Sequence, residues 1–348
     1  MTNLKVKFCG VEFKNPVVLA SGILGVTAAS LKNVVKHGAG GVTTKSIWME
    51  EHKGHKNPTM MGTEHFFINA VGLSDAGIGK AKELFGEYGT KKSVSVKGVS
   101  KNAKGLVFGA KWGVSERKGG GAKSGVVKVS MRPAPIIASI VAMKMNEFGD
   151  LAEEISKLNP DIIEINISCP NVEDEFGLPF ACDKNAASSV VKVVKKALID
   201  AGSKIPVIVK LSPNVPNIAS IASACALAGA DGFCAVNTLG PGMVIDLKLR
   251  RPVLTNRVGG VSGFGLKPIA VKCVNDVYRA TGLPIIGTGG VMTGEDAIEM
   301  MMAGARLVGI GTAVYYRDIS VFGEVVKEME EWCRKSGVKD VNEIVGCI

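Results

Sequence analysis

Hydrophobic and polar positions alternate with a period of two over residues 163–171, which read I-E-I-N-I-S-C-P-N. Ile163, Ile165 and Ile167 fall on one side and Glu164, Asn166 and Ser168 on the other, which predicts a β-strand with one apolar and one polar face. Pro170 cannot donate to a ladder, so the strand stops and delivers Cys169 and Asn171 at its exit. A lone thiol at a strand end is ordinarily a buried structural group. The two amides beside it argue for more, since each would cost about 1 to 3 kcal/mol if buried without a partner.

Short apolar runs of strand length recur along the chain, each followed by a connection or a stretch of helical period. Strands are predicted at 16–20, 41–44, 136–140, 162–167, 206–210, 232–236, 284–287 and 307–310. Helices are predicted at 28–36, 78–87, 147–158, 185–200, 215–228, 266–280, 294–302 and 321–335. A short hairpin around Gly10, over 4–13, precedes them and is expected to cover the bottom of the fold. The link over 46–78 is long for a strand-to-helix connection, and such loops are usually functional. Eight strands in βα alternation predict an α/β chain folded as a closed (β/α)8 TIM barrel, one domain over residues 1–348.

Barrel enzymes place their chemistry at the carboxyl ends of the strands. Those ends read Ser21-Gly22, Lys45-Ser46, Ser139, Asn166 through Asn171, Lys210, Asn237-Thr238, Gly289-Gly290 and Gly311-Thr312, a ring of polar residues and glycines. T-G-G-V at 288–291 and G-I-G-T at 309–312 put glycine where backbone N–H groups approach an anion, and Gly294 and Glu295 open a helix beside them. That combination predicts a phosphate site. G-G-V-S-G at 259–263 offers further backbone donors. Lys45 and Lys210 suit a cofactor that turns anionic in turnover, as a reduced flavin does. No G-x-G-x-x-G sits on a strand-to-helix turn, so a directly bound nicotinamide is not expected.

Charge changes the picture in one place. The net charge of +10 is carried by residues 89–132, where nine Lys and two Arg face the single acid Glu116, while the rest of the chain balances 31 basic against 31 acidic residues. This glycine-rich segment is an insertion between the second helix and the third strand, on the bottom face, either a small β-rich appendage or a flexible arm. Eight cysteines form no C-x-x-C pair and no metal-ligand spacing, which predicts reduced thiols, no metal and a cytoplasmic protein. No apolar run reaches the roughly 18 to 20 residues of a membrane span. His52 and His55 are read as solvated loop residues.

With these residues laid out, the chain resembles the class 1 dihydroorotate dehydrogenases, most closely the class 1B catalytic subunit. The resemblance rests on A-S-G (20–22), N-A-V-G-L (69–73), N-I-S-C-P-N (166–171), V-K-L-S-P-N (209–214), N-T-L (237–239) and the run 242–263 with R-R-P-V-L-T-N and G-G-V-S-G; it covers nearly everything except 89–132. It implies FMN across the barrel mouth, with phosphate on Gly289, Gly290, Gly311 and Thr312. Ala20, Ser21, Gly22, Lys45, Ser46, Ser139, Asn166, Lys210, Val236, Ser262 and Gly263 would surround the rest of the cofactor. Lys45, Asn69, Val71, Gly72, Leu73, Asn166, Asn171, Asn237 and Thr238 would hold dihydroorotate or orotate. Ser139 stands where many relatives carry Asn.

The chemistry fits the residue types. Oxidising a saturated carbon pair beside a carbonyl needs a base and a hydride acceptor. Cys169, with a reference pKa of about 8.5, serves as base, FMN N5 takes the hydride, and Lys210 steadies the flavin anion. The resemblance also implies a homodimer and a partner subunit carrying FAD and an iron–sulfur cluster, through which electrons reach NAD+; direct reduction of fumarate is the class 1A alternative. Rival readings are a pyrimidine-reducing enzyme like dihydropyrimidine dehydrogenase, and an RNA-acting flavin barrel of the tRNA-dihydrouridine synthase type. The second would use the basic insertion, but the 166–171 and 242–263 runs disfavour nucleic acid.

Overall fold

Val17, Val18, Leu19, Ile136, Ile137, Ile162, Ile163, Val207 and Ile208 have no exposed surface. Strands this apolar must be covered on both faces, which parallel barrels achieve with helices outside and side chains within. The computed structural model describes residues 2–89, 91–97, 124–130, 132–167 and 180–348, with the backbone alone described over 91–97 and 124–130. Its barrel strands are β1 (Val17–Leu19), β2 (Gly41–Thr43), β3 (Ile136–Ile140), β4 (Ile162–Asn166), β5 (Val207–Leu211), β6 (Gly232–Ala235), β7 (Ile285–Thr288) and β8 (Ala305–Ile310). Neighbours pair in parallel in chain order, and β8 closes on β1.

The outer layer comprises α1 (Ala28–Lys36), α2 (Gly77–Tyr88), α3 (Met145–Lys157), α4 (Lys184–Asp200), α5 (Ile218–Leu227), α6 (Lys267–Thr281), α7 (Gly294–Met302), the short α8 (Ala313–Arg317) and α9 (Val321–Ser336). Side-chain caps start several of them: Thr27 accepts from Ser30 N–H, Asp183 from Asn185 and Ala186 N–H, and Asn217 from Ser220 N–H. Gly282 and Gly337 end α6 and α9 in the left-handed conformation. None of the helices among the described residues is long and apolar enough to cross a membrane.

The amino-terminal hairpin, Val6–Phe8 against Val11–Phe13, plugs the bottom of the barrel as expected. Phe8 and Phe13 are buried, and Cys9 Sγ donates to Asp231 O at 3.3 Å. Gly41, which opens β2, is kept side-chain-free by this plug, and Gly232, which opens β6, by the Pro284 carbonyl with Cys9 of the plug beside it. A Cβ on Gly41 would lie 2.5 Å from the Phe13 ring, and one on Gly232 would lie 3.1 Å from Cys9 Sγ.

Between α2 and β3 the backbone forms an antiparallel pair, Lys91–Lys97 with Ser124–Ser130, so the β-rich alternative describes the base of the basic segment. Residues 98–123 lie outside the described set. Arg132 anchors this base: its guanidinium donates to Gly89 O (2.9 Å), Asn159 O (2.9 Å) and Leu158 O (3.2 Å) and pairs with Asp161 at 3.3 Å. Asp161 precedes β4, so the hairpin springs from the bottom of the barrel.

Two features add to the expected pattern. All five residues of β4 are buried, because its polar face, with Glu164 and Asn166, points into the barrel and not to solvent. The 46–78 connection also holds two strands, Met60–Gly62 and Phe67–Asn69, which join Gly259–Ser262 and Leu239–Gly242 in a four-stranded antiparallel sheet. These strands are three or four residues long, too short to show a period of two in the sequence.

Replacing Arg132 by Ala strips a nearly buried carboxylate of its cation, and should cost about 3 to 5 kcal/mol, read as a lowered urea midpoint. Replacing residues 92–129 by a tight turn should leave the thermal midpoint within a few degrees of the parent, because strand ends already paired at Lys91 and Ser130 need little closure. A collapse of the midpoint would mean that the segment belongs to the core.

Candidate active site

Strand closure brings side chains from distant parts of the chain together at the carboxyl ends. Asn166, 5% exposed at the end of β4, donates from Nδ2 to Ser46 Oγ at 3.1 Å, and its Oδ1 accepts from Asn237 Nδ2 at 3.3 Å. Ser46 Oγ also shares a hydrogen bond with Ser139 Oγ (3.0 Å) and lies 3.5 Å from Ser21 Oγ. Ser21 in turn donates to Thr44 O at 2.8 Å. One hydrogen-bonded line therefore crosses the exits of β1, β2, β3, β4 and β6. Ser139 is completely buried within it, supporting Ser46.

Two lysines flank the line. Lys210, on β5, is 6% exposed and sits beside Asn166 in the strand register. Lys45 donates to Ser74 Oγ at 2.9 Å; burial lowers its pKa, and the charge of Asp75 partly offsets that. Lys45 thus ties the β2 exit to the loop carrying Asn69, Val71, Gly72 and Leu73. His52 and His55 buttress that loop and are not the solvated residues expected. Trp48 stacks on His52 with ring centroids 4.7 Å apart and donates from Nε1 to Leu73 O. The His55 ring lies against Gly72, where a Cβ would come within 2.8 Å, and its Nδ1 is 3.0 Å from Ala70 O.

The four-stranded sheet carries this loop to the β6 and β7 exits. Asn69 pairs with Gly260, and a Cβ on Gly260 would strike Thr238 Oγ1, so the two glycine-rich segments let Asn69 and Thr238 share one wall. Asn214 Nδ2 donates to Thr238 O and its Oδ1 accepts from Gly240 N–H, fixing the turn after Asn237. Ser262 Oγ donates to Phe67 O at 3.4 Å. Val236 is buried, with its N–H on Thr288 O. Tyr315 packs edge-on against Phe67, and Tyr316 Oη donates to Thr63 O at 2.7 Å, so α8 holds the sheet down. Sequence reasoning missed Tyr315 and Tyr316, whose partners lie some 250 residues away. Asn214 was visible in V-K-L-S-P-N but received no role.

The expected anion site is narrower than predicted. At the start of α7, Gly294 N–H donates to Glu328 Oε2 at 2.6 Å, and Asp296 Oδ2 accepts from Met292 and Thr293 N–H. Burial opposes charge on both carboxylates, but Lys267 and the amides at Asp296, and Arg317 and an amide at Glu328, outweigh it and hold both pKa values low. These N–H groups at the helix start are already bound to carboxylates and are not free for a phosphate. The glycine pairs remain. Gly289 and Gly290 have φ of +129° and +77°, and a Cβ on Gly290 would lie 2.8 Å from Gly263 O. At Gly311 the nearest atom to a Cβ is Ala20 Cβ at 3.9 Å, so the fold itself does not require glycine there. The space above it is what an approaching ligand would fill. Ala20 N–H is bound to Ile310 O, and Gly22, at φ +102°, also faces open space.

Cys169 and Asn171 lie outside the described residues. The chain leaves the described set at Ile167 and returns at Phe180, and Ala181 N–H donates to Ile167 O at 3.1 Å beside the β4 exit.

Gly290→Ala should lower the thermal midpoint by several degrees, because both its positive φ and its crowding oppose a side chain. Gly311→Ala should leave the midpoint unchanged. Equal destabilisation by the two would remove the argument that Gly311 is kept free for a ligand.

The sequence model of the dihydroorotate dehydrogenase family matches residues 3–333. Relatives named dihydroorotate dehydrogenase B (NAD(+)), catalytic subunit, align along nearly the whole chain. The protein from Methanocaldococcus jannaschii is 40% identical over 343 residues, 99% of this chain and 97% of the relative. Those from Methanothermobacter thermautotrophicus and Pyrococcus abyssi are 35% and 36% identical over 343 residues, 99% of this chain and 97% and 98% of the relatives. With a closed eight-stranded barrel, a polar line across its mouth and matches of this extent, the chain belongs to the dihydroorotate dehydrogenase family.

Proposed function

We propose that this chain oxidises (S)-dihydroorotate to orotate in pyrimidine biosynthesis, using bound FMN, and passes the electrons to NAD+ through a partner subunit. The observation that carries the reading is the hydrogen-bonded line from Ser21 through Ser46 to Ser139, Asn166 and Asn237, which joins five strand exits into one polar surface beside Lys210. The names of the relatives, which specify a catalytic subunit and NAD(+), support the electron route.

When bound, the flavin supplies the two-electron acceptor. Gly289, Gly290, Gly311 and Thr312 would hold its phosphate through backbone N–H groups, and the room left at Gly311 fits that role. Lys210 would place a positive charge where the reduced ring system gathers negative charge. Asn69, Asn166 and Asn237 would hold the substrate: each amide both donates and accepts, which matches the alternating C=O and N–H edge of a pyrimidine. Gly72, and Leu73 at φ +50°, would close over it, held by the Trp48, His52 and His55 buttress.

Cys169 is the proposed base that takes the substrate proton. Six of the other cysteines are poorer candidates, and Cys347 is exposed near the carboxyl terminus. Burial pushes the thiols of Cys9 and Cys225 up to about 12 and raises those of Cys182, Cys234, Cys273 and Cys333, so none of these six supplies a thiolate near neutral pH.

Cys169→Ala should retain the yellow cofactor and lose about 10²-fold or more of dihydroorotate oxidation near pH 7. Unchanged turnover would defeat the assignment. Assays of the purified chain with NAD+, fumarate and an artificial acceptor test the electron route: activity with the artificial acceptor alone is expected, and rapid fumarate reduction would replace the partner-subunit reading.

A further inference from the structure

Among the described residues, Glu164 and Lys210 are the only formally charged side chains buried in the eight barrel strands. Glu164 is 1% exposed on β4, and its Oε1 has no hydrogen-bond partner. It shares the inward face with Asn166 but lies two residues deeper, about 6.6 Å further from the mouth. Asn166 pairs with Lys210 on β5, and Lys210 pairs with Cys234 on β6. Both charges act on the Cys234 thiol. Its pKa is raised by burial first, then by the Glu164 charge, is lowered by Lys210, and is raised again by a hydrogen bond to the Glu164 side chain. The carboxylate and the ammonium therefore flank one buried sulfur, with the carboxylate on the deeper level.

A buried carboxylate with an unbonded oxygen is costly unless a nearby cation compensates it. A buried carboxylate oxygen without a partner in a folded interior calls for an explanation. The rest of the strand interior is apolar or small, so the low local dielectric gives this one charge a long reach.

We infer that Glu164 is a positioning residue acting through Lys210, a buried counter-charge on the level below the ammonium that sets how much positive charge the barrel presents to a flavin at its mouth. The inference rests on the proposed flavin. Lys210 favours the reduced, more negative flavin; a negative charge at Glu164 beneath it tempers that preference, and electrons leave more readily for the next acceptor.

The test is the two-electron midpoint potential of the bound flavin in the purified holoprotein, by spectroelectrochemistry at pH 7. Glu164→Gln keeps the shape and removes the charge. It should shift the oxidised–reduced equilibrium about tenfold toward the reduced form, a rise of about 30 mV. Glu164→Asp should stay near the parent value, and Glu164→Met should rise as Gln does, which covers the case in which one variant folds poorly. In a Lys210→Gln background the Glu164→Gln shift should vanish. An unchanged or lowered potential in Glu164→Gln, or the same shift without Lys210, overturns the inference while leaving the flavin reading intact. A parent protein that binds no flavin overturns the reading itself, and the inference with it.

Discussion

Closing eight short parallel strands on themselves leaves no free edge and almost no freedom for the side chains that point inward. Along each strand the outward residues must be apolar to meet helices, and the inward ones fill a narrow interior. Only at the carboxyl ends, where the ladder runs out, can polar groups from different strands meet without being starved of partners. Asn166, Ser46, Ser139 and Asn237 use that opening. The polar line across the mouth depends on strand closure, because its members are far apart in the chain.

Around the barrel, each remaining element solves a problem that closure creates. The bottom would be open to water, and the Phe8 and Phe13 hairpin seals it. The top would be too open to hold a small ligand, and the sheet built from 60–62, 67–69, 239–242 and 259–262 narrows it. That sheet could not approach the barrel without glycines at 259 and 260, where Asn69 and Thr238 occupy the space a side chain would need. Tyr315 and Tyr316 then clamp it from the β8 side.

Electrostatics divides the two ends. The mouth carries Lys45 just past β2, Lys210 on β5 and glycines just past β7 and β8, while the neighbouring α7 start is satisfied internally by Asp296 and Glu328. The backbone N–H groups at that helix start are therefore already taken, whereas Gly311 has open space beside it. The basic excess of residues 89–132 belongs to a segment rooted at the opposite face, where Arg132 anchors its base.

Much of this was legible in one dimension. Apolar runs of four to six residues in regular alternation with helical stretches specify strand number and order, because burial on both faces demands them, and the residues just past each run are the mouth of the barrel. The glycine pairs, Asn166, Lys45 and Lys210 were readable for that reason. What the sequence could not determine was pairing at long range. The polar face of β4 is visible in the sequence, but its partners at Ser46 and Asn237 are not; the strands over 60–69 are too short to leave a periodic signal; and His52 and His55 look free until Trp48 and Gly72 are set against them. The start of α7 looks like an anion site until Glu328, 34 residues on, is brought to it. Local period and composition act over a few residues, whereas a buried polar contact exists only once the chain has closed, and that is what the tertiary structure alone decided.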